Sequence, residues 1–341
     1  MGPRSYIFSK HKLLSRRPPS LSLSLMAFSE ELGVVNEAFS GLGIDEKSLI
    51  SILGKWDANQ LKSFRLGTSR FFDEDERSFE KLVQHQINQL KNDFLRFKSS
   101  LVLWTMHPWE RDARLIKDAL LDGPKSNNVI IEIACTRSSE ELLGARRAYH
   151  SLFERSIEED VASYITTSER KLFIALVSAY RYEGTKVNEE LSKSEAKIVF
   201  EALKNADKKN PLLDDDVVTI LANRSKLHIK SLFQHYTNLS GNSIDADLET
   251  NMSLKDTMQC LCTPPAYFCK VMEEAMVKEA DENTREGLTR VIVTRADVDM
   301  KYIKEDYGHK YAITLSERIT VATNGNYKDF LLTLIAREET K

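Results

Sequence analysis

The 341-residue chain contains no run of about eighteen apolar residues, so it has no ordinary transmembrane helix. Glycine and proline are scarce, at 13 and 8 residues, which is too few for the many tight turns of an all-β protein. Only four cysteines occur, Cys135, Cys260, Cys262 and Cys269. None forms C-x-x-C or has a histidine at zinc-finger spacing, and three crowd one short stretch, so neither a disulfide framework nor a zinc site is expected. Free, mostly buried thiols are. The net charge of −3 supplies no basic field for nucleic acid.

What is present is material for a core: 42% hydrophobic residues and 9% aromatics, enough to exclude wholesale disorder. The start of the chain differs. Arg4, Lys10, Lys12, Arg16 and Arg17 stand among serines with no acid before Met26. Such a segment has the composition of a transit peptide. An upstream extension of a cytosolic start at Met26-Ala-Phe-Ser-Glu-Glu is the preferred reading, and residues 1–26 are expected to be a disordered leader.

Three segments align without gaps, beginning at Cys135, Ala222 and Val293. Each carries an arginine, a tyrosine twelve residues on, and an aliphatic residue eight further: Arg137, Tyr149, Ile157; Arg224, Tyr236, Ile244; Arg295, Tyr307, Leu315. Repeats of this length are compact helical units. Leu142, Ala145, Tyr149 and Leu152 share one face at helical spacing. Ser138 with Glu141, Ser156 with Glu159 and Thr314 with Glu317 make capping boxes, which start helices. Four or five helices per unit follow. A diverged first copy is placed by LISILGKW (49–56), where Trp56 takes the arginine's position and the tyrosine offset fails.

These anchors, with FSGLGIDEKSLISIL (39–53), HPWERDA (107–113), ACTRS (134–138), AYRYEG (179–184) and VTRADVD (293–299), resemble the annexin family, plant annexins in particular. The resemblance covers residues 27–337. It implies an all-α fold of four repeats of about five helices each, forming a curved disc. The repeats fall at 27–105, 106–182, 183–270 and 271–341. It further implies Ca²⁺-dependent binding to anionic phospholipid membranes, peripheral and cytoplasmic, in calcium or stress signalling or membrane trafficking. Other annexins or the cytoskeleton are further partners it suggests; nucleic acid is not one.

The resemblance also gives the Gly-x-Gly of FSGLGIDE a purpose. Ca²⁺ takes six to eight oxygens, and a loop free of side chains aims several carbonyls at one point. The family's carbonyl ligands correspond here to Phe39, Gly41 and Gly43. The closing acid, some forty residues later, falls near Gln89, with Asp93 the alternative. Ile44 and Glu46 resemble a smaller secondary site; Glu46 as a helix-start carboxylate is the equal alternative. The other loops depart from the pattern: LLDGPKSNN (120–128), ADKKNPLLDDD (206–216) and KEADENT (278–284), with Ala280 and Glu282 where glycines belong. Their closing positions read Tyr164, Asn251 and Ala322, so no family-type Ca²⁺ site is expected in repeats two to four. Asp214–Asp216 reads as a solvated turn.

No catalytic constellation assembles. GLGIDEKS fails as a phosphate loop because Glu46 replaces the required glycine. The histidine linked to peroxidase activity in some plant annexins falls at Lys55. A calcium-independent membrane or protein scaffold with largely vestigial loops is the alternative function.

Overall fold

The structure, a computed structural model, describes residues 28–35, single positions between 37 and 63, and residues 77–205, 210–248 and 251–337. Every regular element among the described residues is helical. The chain forms two compact units, residues 1–93 and 94–341.

After α1 (Arg77–Thr105), fifteen α-helices fall into three sets of five. The first set is α2 (Pro108–Asp122), α3 (Asn127–Thr136), α4 (Ser139–Phe153), α5 (Ile157–Tyr164) and α6 (Arg170–Val177). The second is α7 (Glu189–Lys204), α8 (Asp215–Asn223), α9 (Lys226–Ser240), α10 (Ile244–Asp247) and α11 (Met252–Cys262). The third is α12 (Pro264–Ala275), α13 (Glu282–Arg295), α14 (Met300–Tyr311), α15 (Leu315–Ala322) and α16 (Gly325–Ile335).

The three anchor positions now have physical roles. The arginine ends the second helix of each set, as Arg137, Arg224 and Arg295. The tyrosine, fully buried or nearly so, is the fifth residue from the end of the third helix. The aliphatic residue is the first of the fourth helix and is buried each time. All three capping boxes form, at Ser138, Ser156 and Thr314. Five residues beyond each tyrosine the third helix stops on a left-handed residue: Glu154, Gly241 and Ala312. Leu152 departs from its expected place on the buried face; it is 38% exposed, at the end of α4 where packing has already run out. On the same helix Gly144 receives the Trp109 ring so closely that a Cβ would stand 2.2 Å from it.

The arginines differ in how their charge is met. Arg137 forms a bidentate pair with buried Asp112 at 2.7 and 2.8 Å. Arg224 pairs with Glu195 at 2.6 Å, a carboxylate shared with His228 at 2.7 Å. At the place of Asp112 the third set has Phe268, so Arg295 lies over that ring at 5.0 Å and takes Asp299, one turn on, at 2.6 Å. In the 1–93 unit, buried Trp56 donates its indole N–H to Glu31 at 2.7 Å. That pair is 25 residues apart, as are Arg137 and Asp112. Trp56 thus fills the arginine's position in bonding as well as in order.

The cysteines are free, with Cys135, Cys260 and Cys269 buried and Cys262 half-buried. Burial pushes Cys135 up to about 11 and Cys269 up to about 12, so these thiols are protonated and inert at neutral pH.

Asp256 on α11 is a weak point. Burial, opposed by Lys270 at 3.8 Å and reinforced by Glu132 and Glu274, pushes it up to about 6, and its Oδ1 has no hydrogen-bond partner. A carboxyl raised in the fold costs stability progressively from about pH 4, where the unfolded chain ionises, fully above about pH 6, and nothing when both states are protonated. Asp256→Asn is therefore expected to stabilise the protein by about 2 kcal/mol near pH 7.5 and by little near pH 4. Thermal melts at the two pH values check it.

Candidate functional site

The loops between first and second helices, and between fourth and fifth, gather on one face of the 94–341 unit. Hydrogen bonds between side chains show this directly. Ser126 donates to Asn283 at 3.0 Å, joining the α2–α3 loop to the α12–α13 loop. Asn127 donates to Glu169 at 3.5 Å, and Ser253 donates to the other oxygen of the same carboxylate. Asn210 donates to Ser168 at 2.9 Å. Glu169, just before α6, is therefore a hub that ties the α5–α6 turn to the loops beside it. Lys171 and Asp215 add an ion pair. In the third set α13 packs on α16, as α3 does on α6, which brings the 323–325 turn to the same face.

In the described loops several carbonyls and side chains are bonded within the protein. In the α2–α3 loop Gly123 has the left-handed backbone, φ 82°, that only glycine adopts freely. Its carbonyl then accepts from Ser126 N at 3.0 Å within a 3₁₀ turn, Pro124–Ser126, and so is used internally. In the α7–α8 loop the Asn210 and Pro211 carbonyls accept from Leu213 and Asp214 N, each at 3.0 Å. The acidic run there is no free turn: Asp214 caps α8, accepting from Asp216 N and Val217 N, with Asp215 and Asp216 in the favourable first turn.

The α12–α13 loop is closed in a third way. Arg285 donates Nε to the Ala280 carbonyl at 2.9 Å and Nη2 to the Lys278 carbonyl. Glu282 is drawn off to Arg96 by two hydrogen bonds, at 2.6 and 3.0 Å. Asp281 caps α13, and its bond from Thr284 N holds the carboxyl below its usual range.

The closing positions carry no carboxylate. The Tyr164 ring lies 5.1 Å from the Lys117 ammonium, Asn251 caps α11 by accepting from Leu254 N, and Ala322 ends α15. Among the described residues no three His, Cys, Asp or Glu side chains are placed to share a metal ion. Phe39, Gly41, Gly43, Ile44 and Glu46 lie outside the described residues. Gln89 is in α1 by its backbone, with its side chain outside what is described. Asp93 is half-buried in the same helix.

Three sets of five helices, with loops on one face and a bonded arginine ending each second helix, define a loop-presenting helical repeat protein. The family model for annexins matches residues 111–176, 200–257 and 267–334. The chain is 47% identical over 320 residues to annexin D4 of Arabidopsis thaliana, covering 92% of this chain and all of that one. It is 40% identical to annexin Gh1 of Gossypium hirsutum, covering 91% and 96%. Among solved structures, annexin III superposes with a TM-score of 0.64 at 23% identity over 97% and 99% of the two chains. Calcium-bound annexin (Sm)1 does so with 0.59 at 18% over 92% and 91%. The chain belongs to the annexin family, whose members are known for calcium-dependent phospholipid binding and are generally non-enzymatic.

Proposed function

We propose that this annexin docks peripherally on anionic membranes in response to Ca²⁺, in signalling, stress response or trafficking from the cytoplasm, with its loop face toward the lipid. The observation that carries the reading is the difference between the loops. Three have their carbonyls or closing positions committed to internal bonds, while FSGLGIDE alone keeps the Gly-x-Gly pattern. Phe39, Gly41 and Gly43 would supply carbonyls and Gln89 or Asp93 the closing oxygen, with Ile44 and Glu46 as the secondary pair. When bound, Ca²⁺ would supply the positive charge that lets these oxygens and an anionic headgroup share one site. No described helix is long and apolar enough to cross a membrane, which accords with peripheral docking.

Sedimentation with phosphatidylserine-containing vesicles, in Ca²⁺ and in chelator, tests the reading. Gln89→Glu adds a charge and a bidentate oxygen pair, and is expected to lower the Ca²⁺ concentration for half-maximal pelleting about tenfold. Gly43→Val is expected to raise it at least as much, because a β-branched side chain crowds a loop that the Gly-x-Gly pattern leaves free of side chains. Unchanged pelleting in both variants would remove the loop from the membrane site. The calcium-independent scaffold would then be the better reading, and the internal bonding of the other three loops is the observation in its favour.

A further inference from the structure

The α12–α13 loop contains a cation of its own. Counted back from the anchors, Arg295 and Trp56, Lys278 and Ala280 stand where Phe39 and Gly41 stand in FSGLGIDE, and Arg285 stands where Glu46 does. Two carbonyls that correspond to metal ligands in that loop are here bonded to a guanidinium, through Nε and Nη2. The replacement is chemically coherent. A carbonyl pair converging on one point repels itself unless a positive group sits between, and a guanidinium presents five N–H donors in a fixed plane. Nε and Nη2 are used inward. Nη1 has no partner, and Arg285 is half-buried, so the charge is not sealed in.

We propose that Arg285 is a resident substitute for Ca²⁺ in the fourth loop, and that its free Nη1 edge binds a lipid headgroup phosphate without calcium. The proposal rests on the reading of this face as the membrane side. A guanidinium pairs with phosphate oxygens through charge-assisted hydrogen bonds, the part a bridging metal plays elsewhere. Two observations select a bilayer over phosphate in solution. Val277, in the loop itself, is 40% exposed, giving it an apolar edge. Lys278, also exposed, adds a second cation at the tip. Headgroup phosphates lie where cation and hydrocarbon are met together; a free phosphate gains nothing from the valine. The loop is thereby set permanently in a bound form, and calcium control is left to FSGLGIDE.

Two measurements on the full chain test the two halves. Hydrogen exchange of residues 277–284, with no lipid present, reads the latch. In the wild type these amides should exchange at the same rate with Ca²⁺ and with chelator, and in Arg285→Ala about tenfold faster. A calcium-sensitive wild type, or an unchanged variant, overturns the resident cation. Pelleting with phosphatidylserine vesicles in chelator reads the headgroup contact. Arg285→Ala should weaken it about tenfold, Arg285→Lys less, and millimolar inorganic phosphate should not compete. Equal pelleting of wild type and Arg285→Ala overturns the headgroup contact, and competition by inorganic phosphate assigns the edge to a soluble anion instead. A wild type that pellets in neither Ca²⁺ nor chelator removes the membrane reading of the whole face, and the exchange result still reports on Arg285.

Discussion

Replacing Arg290 with methionine is expected to cost the protein about 3–5 kcal/mol. Arg290 on α13 and Glu132 on α3 lie 158 residues apart and are both buried. They form a bidentate pair, Nε to Oε2 at 2.8 Å and Nη2 to Oε1 at 2.9 Å, and Tyr267 donates to Oε1 at 3.1 Å. With the guanidinium removed, a carboxylate stays in the interior with one phenol for company. Asp256 is close enough for its charge to repel the stranded carboxylate. For a unit of this size the loss corresponds to about 10 °C in melting temperature. The pair Glu132→Leu with Arg290→Met should recover most of it, since two apolar groups leave no charge unpaired. Urea unfolding of the two singles and the double measures all three.

The fold was legible in the sequence wherever a signal was local. The capping boxes at Ser138, Ser156 and Thr314 need only four residues each, and all three form. The arginine–tyrosine–aliphatic offsets were legible because they record helix ends and helix faces, which are fixed by short-range geometry. The partners of those residues were not. Nothing near Glu132 points to Arg290, and Trp56 gives no sign of Glu31 until the helices are side by side. The candidate site divides in the same way. The loss of glycines and closing acids from the second to fourth loops is visible in the letters. The reasons those loops are closed, a 3₁₀ turn at Pro124 and a guanidinium at Lys278 and Ala280, depend on where carbonyls point. Arg285 stands in the first turn of α13, where the macrodipole disfavours a cation. That mismatch was the available signal. The Asp214–Asp216 run was misjudged as a solvated turn because an N-cap and an acidic turn have the same composition.

One difference between the sets has a large expected effect. In the first set Lys117 on α2 pairs with fully buried Asp160 on α5 at 2.9 Å, and the Tyr149 hydroxyl donates to the same oxygen at 2.5 Å. Burial alone would raise Asp160, yet these bonds hold it below its usual range. In the third set the polarity is reversed: Glu273 occupies the lysine's position, Arg318 the aspartate's, and they pair at 2.9 Å. The tyrosine, now Tyr307, follows the carboxylate and donates to Glu273. In the second set Phe200 replaces the cation, its ring centroid 5.9 Å from that of Tyr236, and Asp247 accepts from the hydroxyl at 2.7 Å and from Asn242 at 3.4 Å, with no cation among the described residues. The site therefore requires one carboxylate within reach of the tyrosine, and which helix carries it is free. Arg155, which also pairs with Asp160 at 2.7 Å, has Ile313 as its counterpart and belongs to the exchange. Lys117→Glu alone confronts two carboxylates and is expected to cost about 3 kcal/mol. Asp160→Arg alone gathers three cations and should cost as much. The triple variant Lys117→Glu, Asp160→Arg, Arg155→Ile rebuilds the third set's arrangement and should unfold within about 1 kcal/mol of wild type, a coupling of roughly 5 kcal/mol, above the usual range for contacting residues. A triple variant no more stable than the singles would mean that backbone placement, and not charge pairing, decides which helix carries the acid.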